Sequence, residues 1–295
     1  MNILTIDNLS KNYGKIQALQ QVSFSVPQGT VYGILGPNGS GKTTMLGIVM
    51  DVLKSSGGGY KLFDEMPNET HRKRMGTLLE TPNFYHYLSA VQNLKIAAKI
   101  KQRGEDDIDR VIEVVGLTQR KNSPFSSYSL GMKQRLAIGS ALLGNPEVLV
   151  LDEPTNGLDP VGIAEIRSLI MSLASQGKTI IMASHMLDEV EKVCTHVAIL
   201  KYGKLIAAGD VNEILVNEDV VELAASNLDS LKNILTSFPN SLSLQLKDKF
   251  VQMNLPQGTA NMEDINKFCF NNNIVLTHLQ LKKKSLETKF LELTN

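Results

Sequence analysis

One run of residues constrains this chain more than any other: Gly36-Pro37-Asn38-Gly39-Ser40-Gly41-Lys42-Thr43-Thr44. It has the form G-x-x-x-x-G-K-[ST]. It lies between an apolar strand, Thr30 to Leu35, and a helix that begins near Lys42 and carries Met45, Leu46, Ile48 and Val49. Strand, glycine loop and helix in that order make a phosphate cradle. Glycines let the backbone wrap closely round an anion with successive N–H groups pointing inward. The helix N-terminus adds partial positive charge behind them. Lys42 is expected to reach the β- and γ-phosphates, and the Thr43 hydroxyl to hold a magnesium ion. The run therefore implies a nucleoside triphosphate ligand and a strand-to-helix architecture around it.

A phosphate loop alone leaves several kinds of phosphate chemistry open, and residues further along narrow the choice. The aliphatic stretch Val148-Leu149-Val150-Leu151 runs into Asp152-Glu153. Asp152 at a strand end suits magnesium, and Glu153 suits polarisation of an attacking water. Pro154-Thr155-Asn156-Gly157-Leu158-Asp159 follows. Upstream lies Tyr128-Ser129-Leu130-Gly131-Met132-Lys133-Gln134-Arg135, in which a serine and a glycine open a helix and offer hydroxyl and N–H donors to an anion.

With these elements in register, the first 215 residues resemble the ATPase subunit of an ATP-binding cassette (ABC) transporter. The octapeptide at Tyr128 resembles the family signature, usually Leu-Ser-Gly-Gly-Gln, with Ser129 and Gly131 at its serine and second glycine. Leu130 and Met132 depart from the commoner residues. The resemblance implies that Tyr13, in Asn12-Tyr13-Gly14, stacks on adenine, and that His185, in Ala183-Ser184-His185, is the switch histidine that contacts the γ-phosphate. It also places Asn156 to Asp159 in a loop that crosses a dimer interface. Where the family usually has a glutamine that senses magnesium and water, this chain has Glu80. A carboxylate keeps an oxygen acceptor there but adds negative charge near the γ-phosphate.

The resemblance further implies ATP and Mg2+ as ligands. A second copy of the chain would complete an ATP sandwich, and a separate membrane permease would be the partner. Phe84, Tyr85, Tyr87 and Leu88 form an aromatic patch in a chain with only 5% aromatic residues, at the place where the family meets its permease. Bacterial exporter ATPases of the bacitracin and lantibiotic-immunity type are the most similar branch, which points to a peptide antibiotic, drug or lipid-like cargo. Two other readings stay open at this stage: an ABC ATPase acting on ribosome or DNA, and a regulatory module that binds nucleotide without hydrolysing it. A single cassette without a heptad tract favours transport over the first.

Composition sets the outer limits. Lys plus Arg and Asp plus Glu number 30 each, so no nucleic-acid partner is expected. No apolar run approaches the roughly 20 residues needed to span a bilayer, and the start lacks a signal-peptide core. The expected location is cytoplasmic, peripheral on the inner face of the membrane through the permease. Cys194 and Cys269 lack metal-ligand spacing and read as buried free thiols.

Strands alternating with helices predict an α/β fold, the P-loop ABC ATPase fold with its helical subdomain, over residues 1–215. Ser89 and Gln92 predict a capping box at the start of a helix. Gly57-Gly58-Gly59 reads as a tight loop. From residue 216 to 295 the order changes to strand, helix, two strands, helix, strand, with a last helix over Ser285 to Leu293. That order suits a small ferredoxin-like accessory domain.

Overall fold

The computed structural model describes residues 1–79, 83–215, 218–256, 258–282, 286 and 290. Glu80 and all but two residues of the helix expected at its end lie outside the described residues. The chain divides into two compact units, Met1–Val211 and Asn212–Leu293.

The first unit opens with a long hairpin, β1 (Asn2–Tyr13) and β2 (Ile16–Pro27), followed by β3 (Val31–Leu35) and α1 (Lys42–Val49). Next come β4 (Gly57–Leu62), α2 (Glu69–Lys73) and β5 (Met75–Leu78). Three helices follow, α3 (Ala90–Lys101), α4 (Ile108–Val114) and α5 (Leu130–Leu142). The unit closes with β6 (Val148–Asp152), α6 (Pro160–Ser175), β7 (Thr179–Ser184), α7 (Leu187–Val193), β8 (His196–Lys201) and β9 (Lys204–Asp210).

Two sheets result. One is antiparallel, in the order β2-β1-β4; the other has the order β5-β6-β7-β3-β8-β9 and is parallel except for the β8–β9 hairpin. Every residue of β3, β6 and β7 is buried, as strands covered on both faces require. Ile34, Val150, Ile181 and Ala198 from the parallel sheet share a core with Leu4, Leu9 and Val22 from the antiparallel one and with Met45 and Leu46 of α1.

The three glycines at 57–59 correct the expectation of a loop. They begin β4, and Asp7 pairs with Gly59 while Ser10 pairs with Gly57. Gly58 has φ +69, and a Cβ there would collide with the Asn8 carbonyl. Asn8 itself has φ 49, at an irregularity in β1. Only a residue without a side chain permits that approach of two backbones, so the glycines serve a bulged strand pair rather than a turn.

α3 starts as expected. Ser89 accepts a hydrogen bond from the Gln92 amide and the Gln92 side chain accepts one from Ser89, closing the capping box. Leu94 and Ala98 are buried along its inner stripe with Ala90 and Asn93.

A short helix, α8 (Val211–Leu215), precedes the strands of the second unit. These are β10 (Glu218–Ala225), β11 (Ser243–Leu246), β12 (Val251–Pro256) and β13 (Leu276–Lys282), with α9 (Leu228–Leu235) after β10 and α10 (Met262–Asn271) after β12. The sheet order is β11-β12-β10-β13 and every pair is antiparallel. Alternate residues Val221, Leu223, Val251, Met253 and Leu255 bury against Leu231 and Leu235 of α9 and Ile265 and Cys269 of α10. This unit therefore has its own core, built by period-two strands meeting helical stripes.

Candidate functional site

The register of the parallel sheet gathers the site. Leu35 at the end of β3 lies beside Ser184 at the end of β7, and Asp152 at the end of β6 lies beside Ala183. The next residue in each strand is Gly36, His185 and Glu153. Three separate stretches of sequence are thus delivered to one edge of the sheet, the carboxyl end of parallel strands where ligands of open α/β sheets bind.

Gly36 to Thr44 turn at that edge into α1. Gly36, Gly39 and Gly41 have φ of +154, +80 and +102. At Gly41 a Cβ would lie 2.5 Å from the Ala18 carbonyl oxygen and 2.7 Å from Leu19. Gly41 is the N-cap of α1, with no side-chain cap and no acidic residue in the first turn. The helix N-terminus is therefore left to whatever anion the loop surrounds. Ser40 is 1% exposed, and its Oγ makes no hydrogen bond among the described residues. A buried hydroxyl with that status fits a phosphate oxygen as its acceptor.

The loop opens on a cavity of about 310 Å3 lined by Ala18, Asn38, Gly39, Ser40, Gly41, Lys42, Thr43, Thr44 and Glu153. Lys42 is 5% exposed and donates through Nζ to the Gly36 carbonyl at 2.7 Å, with Glu153 Oε1 at 3.4 Å. The other oxygen of Glu153 meets His185 Nδ1 at 2.9 Å. Glu153 thus stands between a cation and an imidazole at the cavity wall. Its backbone is left-handed, φ 48, and its amide donates to Ala183 of the neighbouring strand. Asp152, one residue earlier, is 5% exposed at the end of β6.

Tyr13 ends β1 at the tip of the first hairpin, opposite Ile16, and is 46% exposed with Lys11 Nζ 5.0 Å from its ring centre. Two residues along β2 from Ile16, Ala18 touches the phosphate loop, so the exposed tyrosine lies on the hairpin whose other strand borders the cavity. Ser129 caps α5 by accepting from the Met132 amide at 3.3 Å, and Gly131 follows in the first turn. Neither lines the phosphate cavity.

Two contributors escaped the sequence reading. Ala18 walls the cavity from β2, and Gly203 donates its amide to the Ser40 carbonyl at 3.2 Å from the β8–β9 turn. The Tyr202-Gly203 turn was legible, but its seat against the phosphate loop is a contact between residues 163 apart in sequence and leaves no local signature.

Among the described residues no helix is long and apolar enough to cross a membrane, and no group of three or more His, Cys, Asp or Glu side chains is placed to hold a metal. A magnesium ion here would depend on one hydroxyl and one carboxylate together with oxygens of the nucleotide, the hard-oxygen set that this ion takes.

Comparison with known proteins agrees with this geometry. The family described as "ABC transporter" matches residues 19–156. The bacitracin transport ATP-binding protein BcrA of Enterococcus faecalis is 33% identical over 297 residues, covering 99% of this chain and 96% of that protein. The lantibiotic transport ATP-binding protein SrtF of Streptococcus pyogenes is 39% identical over 204 residues, 69% of this chain and 89% of that one. The dimeric structure of MJ0796, a bacterial ABC transporter cassette, superposes with a TM-score of 0.62 at 25% identity, covering 70% of this chain and 98% of that one. A phosphate loop, an acidic strand end and a histidine brought to one sheet edge, on a chain that the bacitracin relative matches almost end to end, make this protein a member of the ABC transporter family, an ATP-binding ATPase subunit.

Proposed function

We propose that this chain binds and hydrolyses ATP in a head-to-tail pair of copies, and that the pair drives an exporter permease. The observation that carries the proposal is Glu153, which borders the phosphate cavity between His185 and Lys42. When the γ-phosphate enters, Lys42 turns from the Gly36 carbonyl to the phosphate oxygens, because a dianionic group outcompetes a neutral carbonyl for an ammonium. That releases one oxygen of Glu153 to orient and deprotonate water, while His185 holds the other oxygen and bonds the γ-phosphate.

Thr43 and Asp152 would hold magnesium, which supplies charge neutralisation at the phosphates. Glu80 is proposed to add a third oxygen. Its charge makes site closure more dependent on the cation than a glutamine would.

Ser129 and Gly131 support the paired arrangement. They form an anion-ready helix start, yet none of the residues 129–131 lines the phosphate cavity of its own chain. A second copy related by a two-fold axis supplies the missing wall at both sites at once. Tyr13 then stacks on adenine at the open end.

The permease is proposed to dock where Phe84, Tyr85 and Asn83 border a groove of about 640 Å3 with Thr77, Ile96 and Ile100. Phe84 packs edge-on against Phe125, while Tyr85 and Tyr87 are 51% and 76% exposed. The aromatic patch thus divides into an anchor and a free rim, as a hot-spot socket requires. Among the proposed peptide antibiotic, drug or lipid-like cargoes, the bacitracin and lantibiotic relatives support the peptide antibiotic. We assign residues 1–215 to the nucleotide-binding domain and 216–295 to a ferredoxin-like accessory domain, attached to the inner face of the membrane through the permease.

The test is Glu153→Gln. Turnover should fall by roughly a thousandfold, while ATP binding persists and ATP converts monomer to dimer in size-exclusion chromatography. Unchanged turnover would remove Glu153 from the reaction. Monomer at saturating ATP, with the permease present, would remove the sandwich.

A further inference from the structure

Leu130 occupies the first helical position of α5, directly after Ser129, where the family signature usually has glycine. Half of it is exposed, at 50%. Among the described residues, its Cδ2 is the only heavy atom, chain neighbours aside, within 4 Å of where a Cβ on Gly157 would sit, at 3.4 Å. The side chain therefore ends beside Gly157, in the loop that leaves Glu153. A glycine at position 130 has nothing to reach that loop with.

The loop is stiff enough to pass on such a contact. Asn156 donates its amide to the Glu153 carbonyl at 3.2 Å, and Leu158 donates to Thr155 at 3.3 Å. These two overlapping turns join Gly157 to Glu153. Thr155, 4% exposed, is seated on Met186. Glu153 has the left-handed backbone of φ 48, a conformation that a glutamate keeps only while its surroundings hold it there. Ala183 and Met186 bond this stretch, and the Leu130 side chain ends beside it at Gly157.

α5 itself does not depend on this contact. Gly131 approaches the Gly162 backbone of α6, and Arg135 pairs with Glu165 at 3.6 Å and donates to the Val115 and Gly116 carbonyls. Shortening Leu130 therefore leaves the helix in place and removes only the brace.

We propose that Leu130 is a positioning residue for Glu153: it braces the Asn156–Asp159 loop and so fixes the carboxylate against the phosphate cavity. This rests on Glu153 acting in ATP hydrolysis.

The experiment compares the wild-type full chain with Leu130→Ala and Leu130→Met. It measures kcat and KM for ATP, ADP affinity by calorimetry, and Tm. Leu130→Ala should lower kcat by about tenfold, the scale at which sub-ångström misplacement acts. KM and ADP affinity should stay put, and Tm should move by less than about 2 °C because the side chain is half exposed. Leu130→Met, which restores reach, should recover most of kcat.

The same substitution in a Glu153→Gln background separates two routes. ATP-dependent dimer should form as in Glu153→Gln alone, because the brace acts on the carboxylate and not on the contacts of Ser129. Unchanged kcat in Leu130→Ala, a parallel loss of ADP affinity or Tm, or loss of the dimer in the double variant would each overturn the proposal. A wild-type chain without ATPase activity would instead overturn the functional reading on which it stands.

Discussion

Gly39 and Gly41 stand two residues apart in the phosphate loop, both with left-handed backbones, yet they should respond differently to a methyl group. At Gly39 no heavy atom of the described residues, chain neighbours aside, lies within 4 Å of the added carbon; at Gly41 the Ala18 carbonyl lies 2.5 Å away. Gly39→Ala therefore faces backbone strain alone, about 1 kcal/mol. Gly41→Ala adds a collision with backbone that cannot swing aside, and should cost roughly 2 kcal/mol or more. Calorimetric ATP titration checks the order: Gly41→Ala should bind far more weakly than Gly39→Ala. The glycines were legible as a cradle because their spacing is local. Which of them tolerates a side chain was not, because Ala18 comes from another strand. Lys42 gives the same lesson: the motif names it as a phosphate ligand, but its seat between Gly36 and Glu153 depends on β3 and β6 being brought to one edge.

At the scale of elements, helix starts were the most legible features and glycine runs the least. Ser89→Ala should destabilise the first unit by about 1 kcal/mol, the usual worth of an N-cap, read by urea denaturation. A loss below a few tenths would mean that tertiary packing alone sets the start of α3. Asp107 combines a contact that local spacing announces, the i,i+3 pair with Arg110, with one to Gly144 that no local pattern does. It precedes α4 but does not cap it; its carboxylate takes a bidentate bond from Arg110 and accepts from the Gly144 amide, tying α4 to the turn after α5. The Arg110 hydrogen bond holds this carboxyl below the usual aspartate range. A folded value below the unfolded one means that the stabilisation is fully present above the unfolded value, near pH 4. It is lost as pH falls through the lower folded value. Asp107→Asn should therefore cost about 2 kcal/mol at pH 7, and the gap to wild type should close below pH 4. A gap that stayed constant down to pH 3 would show that charge is not what the contact uses. The Gly57–Gly59 stretch was misread for a related reason: a glycine run signals conformational freedom, and whether a turn or a bulged strand uses it depends on β1 as neighbour.

Among the described residues, one core lies within Met1–Val211 round the parallel sheet and another within Asn212–Leu293 round Val221, Leu223 and Met253. Each buries its own strands against its own helices. A chain of residues 1–215 should consequently fold and bind ADP with the affinity of the whole protein. Its retention of ATPase activity would make the remaining residues dispensable for chemistry, whereas failure to bind ADP would show that the first core is not autonomous. The sequence by itself determined where the phosphate loop, the acidic strand end and the helix caps lie. Each of these is a short run set by residue type and spacing, and together they sufficed to name the family. Only the tertiary structure decided which residues meet: Glu153 with His185 and Lys42, and Ala18 and Gly203 against the phosphate loop. Those contacts join stretches far apart in the chain, and strand order and register, which no single stretch encodes, set them.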